Sequence, residues 1–126
     1  MSFEFLGIDH VQLAANEGCE LEARRFFGEL LGWTEIPKPA TLLACGGVWF
    51  QCGAHQVHIG VQRDFVPAKK AHPAFEVRNI HLLREHLMRH NIEVIDDDTR
   101  EAENVSRFYV HDPFGNRLEY LEWGIA

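Results

Sequence analysis

Four residues in this chain combine the side-chain types and the spacing that divalent-metal chemistry needs: His10, His58, His72 and Glu119. His10 and His72 lie 62 residues apart and His58 and Glu119 lie 61 apart. Two asparagines placed to cap helices, Asn16 and Asn79, keep nearly the same offset at 63. An offset repeated within a chain of 126 residues is the mark of an internal duplication. Imidazole nitrogen and carboxylate oxygen suit Zn, Ni, Fe, Mn or Co, so four such groups gathered in one place outline a mononuclear site. An ion held there would stabilise an enolate or oxyanion as a Lewis acid while a side chain moves a proton.

The elements that must position these residues can be read from periodicity. The stretch Leu6 to Ala15, in which Val11 and Leu13 alternate with His10 and Gln12, reads as a strand. After the cap candidate Asn16, the residues Cys19, Ala23, Phe26, Phe27 and Leu30 form an apolar stripe at the helical period, and Gly32 is placed to end that helix. Short strands are expected at Trp33 to Ile36, Val48 to Cys52 and His55 to Gln62, with Gly53-Ala54 turning the chain between the last two. The order starts again with a strand at His72 to Val77. A helix carrying Ile80, Leu83 and Leu87 follows, with Asn91 as its stop, and then a strand at Ile92 to Ile95. An acidic run, Asp96 to Asp98, reads as a solvated loop. The chain then closes in a hairpin over Ser106 to Glu122, whose turn Asp112-Pro113-Phe114-Gly115-Asn116 has Pro to fix φ and Gly and Asn to accept positive φ. Parity puts Val11, Leu13, Val57, Ile59, Phe75, Val77, Leu118 and Tyr120 under the helices and His10, His58, His72 and Glu119 on the opposite face. Arg107 and Arg117 share that face with Glu119 and are candidates for holding an anionic substrate. Trp49 falls on either side of its sheet by this reasoning.

With these elements in place, the chain resembles the vicinal oxygen chelate superfamily, which includes glyoxalase I, methylmalonyl-CoA epimerase, extradiol dioxygenases, fosfomycin-resistance transferases and bleomycin-resistance proteins. The resemblance covers nearly the whole chain and rests on GIDHVQLAA, ARRFFGELLGW and the closing FYVHDPFGNRLEYLE. It implies an α+β fold: two βαβββ modules, about 5–63 and about 70–124, forming a cup-shaped, mostly antiparallel sheet with helices on its outer face, as one domain over 1–126. It also implies a divalent transition metal that chelates neighbouring oxygens of a small substrate, with ligands in the first and last strands of each module. Those positions here are His10, His58, His72 and Glu119. Glyoxalase I usually has a carboxylate where this chain has His58, which weakens the match to that chemistry. His10, His72 and Glu119 alone match the two-His, one-carboxylate set of the dioxygenase and fosfomycin branches. His58 is then a fourth ligand or a base beside the substrate, and Glu119 and His58 are the catalytic candidates that the resemblance implies for moving a substrate proton. Lyase, isomerase, transferase and dioxygenase outcomes all fit. The alternative is a non-catalytic, sequestering protein of the bleomycin-resistance type. A homodimer is expected, because the modules present open sheet edges that the family commonly covers with a second copy.

Composition narrows the remaining classes. At 46% hydrophobic, the chain can bury a core without staples. A net charge of −7 disfavours nucleic acid as a partner. No apolar run approaches the roughly 18 residues of a membrane span, and Met1 to Ala15 lacks the pattern of a signal peptide, so a cytoplasmic protein is expected. Cys19, Cys45 and Cys52 lack C-x-x-C spacing and read as small buried apolar residues. His55, His81, His86, His90 and His111 fall outside the repeat and read as surface or structural residues.

Overall fold

The apolar stripe of the first half closes over a sheet in the way its spacing demands. In the computed structural model, which describes residues 2–124, this first unit extends to Phe65 and a second begins at Val66. It comprises β1 (His10–Ala15), α1 (Glu20–Ala23), β2 (Thr34–Ile36), β3 (Val48–Cys52) and β4 (His55–Val61). The strands lie in the order β1-β4-β3-β2, with β1 parallel to β4 and the other pairs antiparallel. A β-α-β-β-β order produces this arrangement: the helix carries the chain across the sheet, and later strands return by short turns.

Cys19, Ala23, Phe26 and Phe27 are buried as the stripe predicts. The helix is not α throughout, however. Arg24–Leu30 is π-helical, with the Leu31 amide donating to the Phe26 carbonyl. The wider turn lets the adjacent rings Phe26 and Phe27 both face inward, where Phe27 packs against Trp33 and Phe50. Gly32 ends the helix at φ +76° as expected. Ahead of β3, Gly47 has φ +86°, and a Cβ there would stand 2.2 Å from the Ile59 carbonyl oxygen, so only glycine fits. Pro37 and Pro39 lead into a 3-10 turn over Ala40–Cys45 that periodicity did not reveal. Asn16 does not cap α1: Cys19 holds the N-cap position, and the Asn16 amide donates to the Glu17 carbonyl.

The second unit repeats the plan with β5 (Ala74–Glu76), α2 (Ile80–Arg89), β6 (Ile95–Asp97), β7 (Val105–His111) and β8 (Arg117–Trp123). Its order is β5-β8-β7-β6, again with one parallel pair, β5 with β8. Both units are thus four-stranded mixed sheets, the α+β architecture expected. Two boundaries of this unit differ from expectation, as does that of β1, which starts at His10 rather than Leu6. The strand expected from His72 begins at Ala74, because Pro73 has no amide to give to a ladder. The strand expected at Ile92 to Ile95 is instead Ile95–Asp97, so most of the acidic run is strand, and Asp96 is held by Arg84 at 2.6 and 2.9 Å. Asn79 does sit at the N-cap of α2 but in the left-handed region, φ +60°, without a side-chain cap bond; Glu122 of β8 accepts from the Ile80 amide instead.

The closing hairpin is built around Asp112. Its buried carboxylate accepts from the amides of Phe114 and Asn116 and from the Asn116 side chain, at 2.8 to 2.9 Å. Of the two residues expected to take positive φ, only Gly115 does, at +91°, where a Cβ would strike Pro67. The cysteines also depart from expectation. Only Cys19 is buried; Cys45 is exposed and Cys52 is half-buried. No helix among the described residues is long and apolar enough to cross a membrane.

Candidate functional site

In the first unit, β1 and β4 bring His10 and His58 together. Their parallel register sets Gln12 beside His58 and His10 beside Gln56, so all four occupy one sheet face. The two imidazoles stack with centroids 4.2 Å apart and planes 18° apart. β3 adds Trp49 from the other side, at 3.7 Å and 1°, which places this residue on the histidine face. His58 is buried, and its Nε2 donates to Oε1 of Gln56 at 2.9 Å. Burial, and then repulsion from His10, pushes the His58 imidazole below its usual range and keeps it neutral at pH 7. His10 donates from Nδ1 to the Asp9 carboxylate at 2.9 Å, which leaves Nε2 with its lone pair.

In the second unit, His72 meets Glu119. The Pro73 that delays β5 leaves His72 in the lead-in segment, where Nδ1 donates to the Lys70 carbonyl at 2.8 Å. A carbonyl can only accept, so that nitrogen carries the proton and Nε2 presents a lone pair. Nε2 lies 3.0 Å from Oε1 of Glu119, a carboxylate only 3% exposed. A bare lone pair facing a carboxylate oxygen is repulsive, and a proton on Nε2 or a metal ion between the two atoms relieves it. The separation also fits a metal, since two neighbouring ligands about 2.1 Å from one ion stand about 3 Å apart. On this ground His72 and Glu119 fit the group that the resemblance implies, and His10, in its own unit, keeps an Nε2 lone pair. Within neither unit, among the described residues, do three His, Cys, Asp or Glu side chains gather as a ligand set.

Around Glu119 the sheet builds a charged network. Arg107 donates from Nη1 to Glu119 and to the Tyr109 hydroxyl, and from Nη2 to Asp97 and Thr99, at 2.9 to 3.3 Å. The Asp97 carboxyl is held below its usual range, chiefly by hydrogen bonds from Thr99. Tyr109 lies directly across from Glu119 in the β7–β8 register. Burial, and then its hydrogen bond to Glu119, pushes its phenol up. Arg117 stacks over the Tyr109 ring at 3.9 Å. The two arginines expected to hold substrate therefore differ: Arg107 already serves four partners, whereas Arg117 is anchored through a ring face. Beside Arg107 opens a cavity of about 210 Å³ lined also by Asp96, Asp97, Asp98 and Glu101. Gln56, Tyr109, Asp97 and Thr99 were not singled out from sequence. Parity with the histidine two residues away could have pointed to Gln56, and hairpin register to Tyr109.

Comparison with known structures agrees with the fold. The chain is 55% identical to a protein from Bacillus anthracis assigned to the glyoxalase family, over 97% of this chain and 98% of that one, with a TM-score of 0.93. Two solved structures of low identity share the fold. Lactoylglutathione lyase from Agrobacterium tumefaciens is 18% identical over 93% of each chain, with a TM-score of 0.73. A mutant of the fosfomycin resistance protein FosX from Listeria monocytogenes, complexed with Mn(II) and 1S,2S-dihydroxypropylphosphonic acid, is 15% identical over 95% of this chain and 94% of that one, with a TM-score of 0.77. No protein-family model matches the chain, nor does any curated protein.

Proposed function

Because the chain belongs to the glyoxalase family of the vicinal oxygen chelate superfamily, we propose that it is a divalent-metal-dependent enzyme acting on a small substrate that offers two adjacent oxygens. One observation carries this reading: the His72 nitrogen, its tautomer fixed by Lys70, faces the buried Glu119 carboxylate at 3.0 Å. His72, Glu119 and His10 would hold the ion, a donor set of two nitrogens and one carboxylate that suits Mn, Fe, Co, Ni or Zn. Bound there, the ion supplies Lewis-acid stabilisation of negative charge on the chelated oxygens.

The chain's own residues supply the rest. Arg107 fixes the Glu119 carboxylate in one rotamer, and the lead-in to β5 fixes the His72 ring, so both donors are oriented before anything binds. Arg117, flat on Tyr109, offers its edge to an anionic part of the substrate. His58 and Glu119 are the groups able to take a proton. Lyase, isomerase, transferase and dioxygenase outcomes remain compatible with this set. We also propose that the protein works in the cytoplasm as a homodimer.

A second reading, sequestration without chemistry, draws support from Glu119 itself, which His72 and Arg107 engage on one oxygen. One experiment separates the two. Protein purified without a His tag should carry about one transition-metal ion per chain, and the His72→Ala, Glu119→Ala double variant should lose it. Metal analysis with an anomalous difference peak checks both. Undiminished affinity in the double variant would leave the sequestering reading.

A further inference from the structure

The stacked histidines of the first unit cannot both serve one ion. An imidazole donates through a lone pair that lies in its ring plane, so a bound ion sits in that plane, about 2.1 Å from nitrogen. The His10 and His58 planes are 18° apart with centroids separated by 4.2 Å. Such nearly parallel planes converge far beyond the reach of a metal–nitrogen bond. An ion in the plane of His10 lies well out of the plane of His58, in which the His58 lone pairs point.

The nitrogen of His58 that would extend furthest from the strand is also engaged. Nε2 donates to Oε1 of Gln56 at 2.9 Å, and Gln56 is held to the same sheet face by the strand's period of two. An amide oxygen accepts only, so the proton resides on Nε2 and the lone pair on Nδ1. Among the described residues, Nδ1 takes no hydrogen-bond partner. The Trp49 ring, parallel to within 1°, closes the remaining face and leaves the imidazole no room to tip out of plane.

We propose that His58 stands outside the ligand sphere, locked by Gln56 and Trp49 as an Nε2–H imidazole whose Nδ1 accepts a hydrogen bond or a proton from the bound substrate. Gln56 and Trp49 are then positioning residues, acting through His58. This assignment rests on the metal-dependent reading for its substrate, but the lock itself is a property of the metal-free chain.

Nitrogen-15 spectra of histidine-labelled protein test it directly. In the metal-free wild type, His58 should show a single tautomer with the proton on Nε2. Gln56→Glu, which keeps an acceptor, should preserve that signature, and Gln56→Leu should mix the tautomers. If Gln56→Leu fails to fold, the wild type and Gln56→Glu still decide. On adding Zn²⁺, the His10 and His72 nitrogens should move and those of His58 should not become ligand-like. In calorimetry with Zn²⁺, His58→Ala should keep affinity within about threefold, whereas His10→Ala should lose more than about tenfold, since groups that bind or orient a metal are each worth about 10- to 100-fold. A His58 proton on Nδ1, or a ligand-like shift of His58 with Zn²⁺, would overturn the proposal. Should the wild type bind no Zn²⁺ at all, the metal-dependent function fails, and the metal-free tautomer still decides the lock.

Discussion

In the first unit the last-strand donor, His58, lies between two rings and bonds a neutral amide. In the second, Glu119 lies between an imidazole and a guanidinium. Each side chain lies in the strand that pairs in parallel with its unit's first strand, His58 of β4 beside Gln12 and Glu119 of β8 beside Ala74, and both are buried. The duplication has therefore kept the backbone position and changed the electrostatics. A neutral imidazole needs one hydrogen-bond partner and apolar faces, which Gln56, Trp49 and His10 supply. A buried carboxylate needs positive charge beside it, which brings in Arg107 and draws Asp97 and Thr99 after it. One half of the fold is thus arranged to hold a neutral acceptor and the other to hold charge.

The sharpest way to break that contrast is Arg107→Ala. Its side chain is 12% exposed and joins two carboxylates, Glu119 and Asp97. Removing one member of a largely buried ion pair leaves uncompensated charge and should destabilise the protein by about 3–5 kcal/mol. Denaturant unfolding measures this, and a loss under about 1 kcal/mol would mean that solvent already screens the network. The matching change in the first unit is Trp49→Ala. It removes a half-buried stacking partner but strands no charge, so about 2 kcal/mol is expected. Equal losses in the two variants would erase the distinction between the units.

Sequence reasoning reached the βαβββ repeat, the core stripe and the closing hairpin because each rests on local signals: alternation, helical period, and Gly and Pro punctuation. It singled out His10, His58, His72 and Glu119 because duplication exposes them as a shared offset. It misplaced β6 because Asp96 and Asp97 look solvated until Arg84 and Arg107, distant along the chain, are brought beside them. It started β5 too early because the alternation runs through Pro73 even though the hydrogen-bond ladder does not. Gln56 and Tyr109 stayed hidden, and Trp49 undecided, for one common reason. Their roles depend on which residue lies beside them on the sheet, and that is set by strand register rather than by spacing along the chain.

Acid should separate the units by window, in metal-free protein. The His58 pKa is lowered in the fold, so below the usual imidazole value of 6.5 the unfolded chain takes up that proton first. Stability from this group is present above pH 6.5 and is lost as pH falls from there towards the folded pKa. Asp97 is also lowered, from 3.8, so its contribution is present above that value and is lost as pH falls further, through its folded pKa. Stability measured against pH should therefore fall in two steps. His58→Gln should flatten the upper one and Asp97→Asn the lower. A curve unchanged above pH 5 in His58→Gln would show that burial of the imidazole is not felt by the fold.

The smallest expected effect tests the comparison away from the donors. α1 has no side-chain cap bond, whereas the first amide of α2 is satisfied by Glu122, reaching across from β8 at 2.9 Å. A carboxylate at a helix N-terminus satisfies an orphan donor and also meets the positive end of the helix dipole. Glu122→Ala should therefore cost about 1 kcal/mol, the usual worth of an N-cap. Glu122→Gln keeps an acceptor and loses only the charge, so a few tenths of a kcal/mol is expected. Asn79→Ala gives a separate reading, because Asn79 contributes no cap bond but tolerates φ +60° better than alanine does. Asn79→Gly should then be close to neutral. If instead both Asn79 variants lost as much as Glu122→Ala, the Asn79 side chain would be capping α2 in solution. The two asparagines that share the repeat offset would then differ in role, since the Asn16 amide spends its bond on the neighbouring Glu17 carbonyl.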